Sequence, residues 1–231
     1  MADGLVRTDY AKNCILEFFG TYALVVVGPS SLILLPMLSL SHTPEGLILV
    51  ALTFGGTVAA VIVLIGEHSG AVINPALALA AASARLLRRE LLVPYIFFQI
   101  AGGILAGLTL RLIFAPAGDS TNLGSTELAT SIGPLTGMAL EAIGTFLLAV
   151  SALAATAWIR RKVLQALAVG GTLTVLILLI GPLTGAGFNP ARSLGPSLTS
   201  GYFSNLFVYI AGPIAGALSA GILFRVILKR R

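Results

Sequence analysis

Apolar stretches long enough to cross a bilayer follow one another along this chain, cut by short joints rich in glycine, proline or charge. The run GLILVALTFGGTVAAVIVLIG (46–66) holds no ionisable residue, and about 20 apolar residues suffice for one membrane-spanning helix. The pattern predicts six such spans, at roughly 14–38, 46–66, 91–115, 133–158, 163–181 and 203–227. Two further apolar runs, after Asn74 and Asn189, last only about ten residues before RLLRRE and TSGYFSN interrupt them. Runs this short read as re-entrant segments. Each is expected to be a half-helix that starts inside the membrane and returns to the side it came from. The expected fold class is an all-α membrane protein of six transmembrane helices plus two re-entrant half-helices, in a single domain over residues 1–231.

The hydrophobic pattern also repeats. Residues 54–76, FGGTVAAVIVLIGEHSGAVINPA, lie without a gap over 169–191, VGGTLTVLILLIGPLTGAGFNPA, with 12 of 23 positions identical. LEFFGTYALV (16–25) matches LEAIGTFLLA (140–149), and IAGGILAG (100–107) is set against IAGPIAGA (210–217), so the offset falls from 124 to 115 to 110. Each half, approximately 12–114 and 133–228, is then three spans plus one Asn-Pro-Ala segment. An odd number of spans makes the second half start on the opposite side from the first. Such inverted repeats place a functional site where they meet at the midplane. The polar stretch APAGDSTNLGSTELATS (115–131) is read as the connector.

Composition supports the membrane class: 57% of residues are hydrophobic and 10% charged, where a soluble domain carries about 25% charged residues. The isoelectric point near 9.8 raises the question of nucleic acid, but the placement of the cations answers it. Arg7, Lys12, Arg85, Arg88, Arg89, Arg160, Arg161, Lys162, Arg225, Lys229, Arg230 and Arg231 all fall on one side if both termini are cytoplasmic; only Arg111 and Arg192 are left of the 14. That is a positive-inside bias, so no nucleic-acid partner is expected. Asp3 and Asp9 beside Arg7 and Lys12, followed by a long first span, do not resemble a cleavable signal. One cysteine, Cys14, and two distant histidines, His42 and His68, leave no disulfide or metal pattern. No cofactor is expected, and no nucleophile–base set points to an enzyme.

Asn74-Pro75-Ala76 and Asn189-Pro190-Ala191 carry the candidate chemistry. A half-helix that begins inside a membrane leaves its first N–H groups without partners. Asn caps such an end well, and Pro suits the first helical position because it has no N–H to satisfy. With the side-chain oxygen occupied, each carboxamide NH₂ is expected to stay free for a neutral permeant. The two helix ends each carry roughly half a positive charge. Facing each other, they raise the energy of any cation between them, which is how half-helix dipoles exclude protons and cations in pores.

With both motifs in place, the chain resembles the aquaporin (major intrinsic protein) family over nearly its whole length, down to the NPARS stretch that holds Arg192. The resemblance implies a right-handed helical bundle, a homotetramer with one pore per protomer, and a place in the cell (plasma) membrane. It implies a channel for water, with small neutral solutes such as glycerol as a second permeant class. Spacing from the motifs carries the family's selectivity filter onto Phe54, Ile177, Ala186 and Arg192. Strict water channels of the family typically have histidine where Ile177 stands, which suggests a wider, more apolar filter. Ser193 and Ser197 instead resemble water channels, and Tyr209 with Ile210 resemble plant nodulin-like members, so glycerol stays open.

Glu17 and Glu141 occupy matching places in the first and fourth spans, where the resemblance implies that they support the re-entrant loops. Glu67 and His68 in GEHSGAV depart from the family pattern near the expected cytoplasmic entrance, either as a solvated pair or as a pH-sensitive gate. Cys14 is expected to be packed or lipid-facing. Glycine pairs Gly103…Gly107 and Gly212…Gly216 predict close helix packing, within or between protomers. A secondary transporter built on inverted repeats and a junctional membrane protein remain the alternatives.

Overall fold

The computed structural model describes residues 9–229; Asp3, Arg7, Arg230 and Arg231, used in the signal and charge arguments, lie outside them. Six long helices are α1 (Tyr10–Met37), α2 (Pro44–Ile65), α4 (Arg89–Phe114), α5 (Pro134–Trp158), α6 (Lys162–Thr184) and α8 (Leu206–Lys229). Two short ones are α3 (Pro75–Ser83) and α7 (Pro190–Ser200). All six long helices are apolar and long enough to cross a membrane. Leucines such as Leu64, Leu112 and Leu135 stand exposed on their outer faces, where hydrocarbon rather than water is the natural neighbour.

The ends have local causes. The first span begins before residue 14 because Asp9 caps α1, its side chain accepting from the Lys12 N–H at 3.1 Å. The fifth runs past residue 181 and stops at Gly185, whose φ of 74° turns the chain as a β-carbon would resist.

Packing follows the repeat. In the first half α1 packs on α4, in the second α5 packs on α8, and α2 crosses α6 between the halves. The half-helices are exchanged: α3 packs mainly on α8 and α7 mainly on α4. Close approach at glycines sets these crossings. A β-carbon on Gly102 would strike the Phe18 carbonyl, and one on Gly216 the Ala142 carbonyl; on Gly107 it would meet Gly195, and on Gly221 Ala80.

These pairs correct the register of the third spans. Phe18 and Ala142 are 124 apart, Ala80 and Gly195 are 115 apart, yet the glycines that meet them are 114 apart. The offset of 110 is therefore one helical turn short. IAGG and IAGP align by composition, but packing pairs Gly102 with Gly216 and Gly107 with Gly221. The same glycines show that Gly103, Gly107, Gly212 and Gly216 each face backbone of their own chain.

Candidate functional site

Each half-helix starts as its capping chemistry requires. Asn74 Oδ1 accepts from the N–H of Ala76 (2.9 Å) and Leu77 (3.4 Å). Asn189 Oδ1 accepts from Ala191 (3.0 Å) and Arg192 (3.4 Å). Pro75 and Pro190 hold the first helical positions, and Ala76 and Ala191 are buried between the ends.

The amide nitrogens correct one expectation. Asn74 Nδ2 donates to the Phe188 carbonyl and Asn189 Nδ2 to the Ile73 carbonyl, both at 2.9 Å. The NH₂ groups are not wholly free: one N–H of each ties its half-helix to the other half's loop. A carboxamide has two N–H donors, so one remains on each Asn. The cross-bonds lock the two half-helix ends together at the centre of the bundle.

The approach to each motif is strained in matching places. Ala71 (φ 50°) and Ile73 (φ 42°) are left-handed, as are Ala186 (φ 47°) and Phe188 (φ 48°). For a β-branched residue such as Ile73 this is an outlier, and each such residue costs on the order of 1–3 kcal/mol. The two buried glutamates hold these loops. Glu17 accepts from the N–H of Val72 (2.9 Å) and Ile73 (2.5 Å) and from Gln99 Nε2 (2.8 Å). Glu141 accepts from Gly187 (2.9 Å), Phe188 (2.7 Å) and the Thr184 hydroxyl (2.6 Å). Tyr95 and Tyr209 add matching braces, donating to the Ser69 and Thr184 carbonyls at 2.7 and 2.8 Å.

A cavity of about 90 Å³ threads the bundle past both motifs, lined by residues 70–74 and 186–189 together with apolar side chains of α2, α5 and α6. A water needs roughly 10–15 Å³ of such space, so the cavity is large enough for several waters. Phe54, Ala186 and Arg192 are on its wall. Ile177 is buried in the same apolar cluster, one turn along α6 from the wall residue Leu173, and is itself off the wall.

Arg192 is 1% exposed and donates from Nη1 to the Gly124 carbonyl at 2.9 Å. Its guanidinium carbon stands 5.1 Å from the centre of the Phe54 ring, within cation–π range. Nε and Nη2 have no partner among the described residues. They are the donors that a permeant oxygen could meet. The connector thus belongs to the site: it folds inward through a tight turn at Ala117–Gly124, buries Leu123 and presents the Gly124 carbonyl. Nothing in its polar composition distinguished it from a solvated loop.

Other residues lie apart. Cys14 is buried with Leu91 and Tyr95 and is not on the cavity wall. Mercurials are therefore expected to leave permeation largely unchanged; a strong block relieved by Cys14→Ser would contradict this placement. Glu67 is exposed and His68 half-buried in the turn after α2.

Comparison with known proteins gives a concordant result. The profile of the family described as Major intrinsic protein matches residues 5–224. The chain is 36% identical to Aquaporin NIP3-1 of Arabidopsis thaliana over 219 residues, covering 93% of this chain and 67% of that protein. It is 31% identical to Nodulin-26 of Glycine max over 228 residues, covering 98% and 81%. In three dimensions it is similar to the aquaglyceroporin from Plasmodium falciparum, with a TM-score of 0.78, 19% identity and 96% coverage of both chains. That last likeness concerns the fold.

Proposed function

The chain belongs to the major intrinsic protein family, and on that footing we propose that it is a passive membrane channel for water and small neutral solutes that excludes protons and ions. The observation that carries the reading is one cavity running past both Asn-capped half-helix ends and the guanidinium of Arg192. The spare N–H on Asn74 and Asn189 gives a permeant oxygen a partner at the centre. The two positive helix ends, from α3 and α7, disfavour a cation at the same point. In this reading Phe54, Ala186 and Arg192 form the wall of the outer filter, and Ile177 continues the same face of α6 one turn beyond the wall residue Leu173. Glu17 and Glu141 take the supporting role, and the channel unit spans the chain as two halves, about 12–114 and 133–228.

Aquaporin NIP3-1 is a channel by name, which supports a channel rather than an enzyme. An ion-coupled carrier would need an ionisable group for its coupling ion; Arg192 is the one ionisable residue on the cavity wall among the described residues. The protein is an integral membrane protein. The basic residues support cytoplasmic termini, and the family supports a homotetramer in the cell membrane with one pore per protomer.

Glycerol is a permeant in this reading because the filter lacks a second polar side chain at residue 177. In proteoliposomes the native protein is expected to take up glycerol well above empty vesicles. Ile177→His should cut glycerol uptake severalfold while largely sparing osmotic water flow. Native protein that passes water but no glycerol would overturn the wide-filter part of this reading.

A further inference from the structure

At the end of the cavity opposite Arg192, a third carboxamide joins the wall. Gln165 lies in the first turn of α6 and is 8% exposed. Its Nε2 donates to the Ile159 carbonyl at 2.6 Å, and its Oε1 accepts from Lys162 Nζ at 3.0 Å. Lys162 and Gln165 share a helix face by their three-residue spacing. The short joint from α5 to α6 leaves Ile159 extended, with its carbonyl over the Gln165 amide.

We propose that Gln165, held by Lys162 and the Ile159 carbonyl, is a second, inner constriction that limits the size of the permeant. Three features support it. Gln165 lines the cavity, as do Thr156 from the last turn of α5 and Leu86 from the joint after α3. Both its ends are clamped, so it does not swing aside as a free glutamine would. Each clamp uses only one of its two donors and one of its two acceptor positions, leaving an N–H and a lone pair for a passing water. A water can bond to the fixed amide as it passes, whereas a molecule with a carbon backbone must displace it. Lys162 is a positioning residue, acting through Gln165.

This inference rests on the channel reading. Its test compares osmotic water flow and glycerol uptake in proteoliposomes of the native chain, Gln165→Ala, Gln165→Asn, Lys162→Met and Lys162→Met/Gln165→Ala. Gln165→Ala should raise glycerol uptake severalfold while water flow changes less. Gln165→Asn, one methylene shorter, should raise it by a smaller factor and serves if the alanine variant does not assemble. Lys162→Met should also raise it, and that rise should vanish in the Gln165→Ala background, because coupled residues are non-additive. Unchanged glycerol-to-water ratios in both Gln165 variants would overturn the inference, as would a Lys162→Met effect that persists without Gln165. Native protein with no water flow above empty vesicles would overturn the channel reading, and this inference with it.

Discussion

Arg192→Val is expected to raise the leak of protons and small cations through the protein at least tenfold, with water flow retained. The guanidinium lines the cavity, is almost fully buried, and keeps two nitrogens without a partner among the described residues. A unit charge about 4 Å from a passing cation is worth roughly 4 kcal/mol at an effective dielectric constant of 20. Each 1.4 kcal/mol is about a factor of ten. Much of the barrier to cations therefore depends on this one side chain, and the two helix ends at the centre supply the remainder. Valine also widens the filter, so glycerol uptake should rise. The check is a pH-gradient decay in proteoliposomes, with water flow recorded on the same preparation. An unchanged leak would remove Arg192 from the exclusion machinery.

Glu141→Leu is expected to lose assembly or thermal stability on a larger scale than any filter substitution. The carboxylate takes the N–H groups of Gly187 and Phe188 and the Thr184 hydroxyl. Leucine offers none of these an acceptor, and each buried orphan costs about 1–3 kcal/mol. The strain at Ala186 and Phe188 would then be unsupported, and Asn74 would lose the fixed Phe188 carbonyl that receives its amide. Glu141→Gln is the informative companion. It keeps one acceptor oxygen and should retain the fold with part of the stability loss. Melting temperature and yield of folded protein in detergent measure both. A Glu141→Leu protein that melts like the native one would contradict the support role.

Much of this arrangement was legible beforehand because membranes restrict the alternatives. A span must be apolar for its whole length, so six spans appear as six runs. A helix that starts in hydrocarbon must cap itself, so Asn-Pro-Ala marks both half-helices. The failures occurred where geometry, not composition, decides. The third spans slid by one turn because small residues repeat every few positions in both IAGG and IAGP, and only the carbonyls facing Gly102 and Gly216 fix the register. The sequence alone leaves the asparagine NH₂ groups free, because nothing local reveals that Ile73 and Phe188 turn their carbonyls toward the opposite half. Gln99 on Glu17 has no counterpart in the repeat, since packing sets Pro213 in its place. Gln165 belongs to no motif, and only the fold puts it on the cavity wall.

The most direct test of the central claim is a paired measurement on native protein in vesicles: osmotic water flow by stopped flow, and dissipation of a proton gradient. The account predicts water flow well above that of empty vesicles and a proton leak no different from theirs. Water flow at the level of empty vesicles, or a proton leak that grows with the amount of protein, would contradict it.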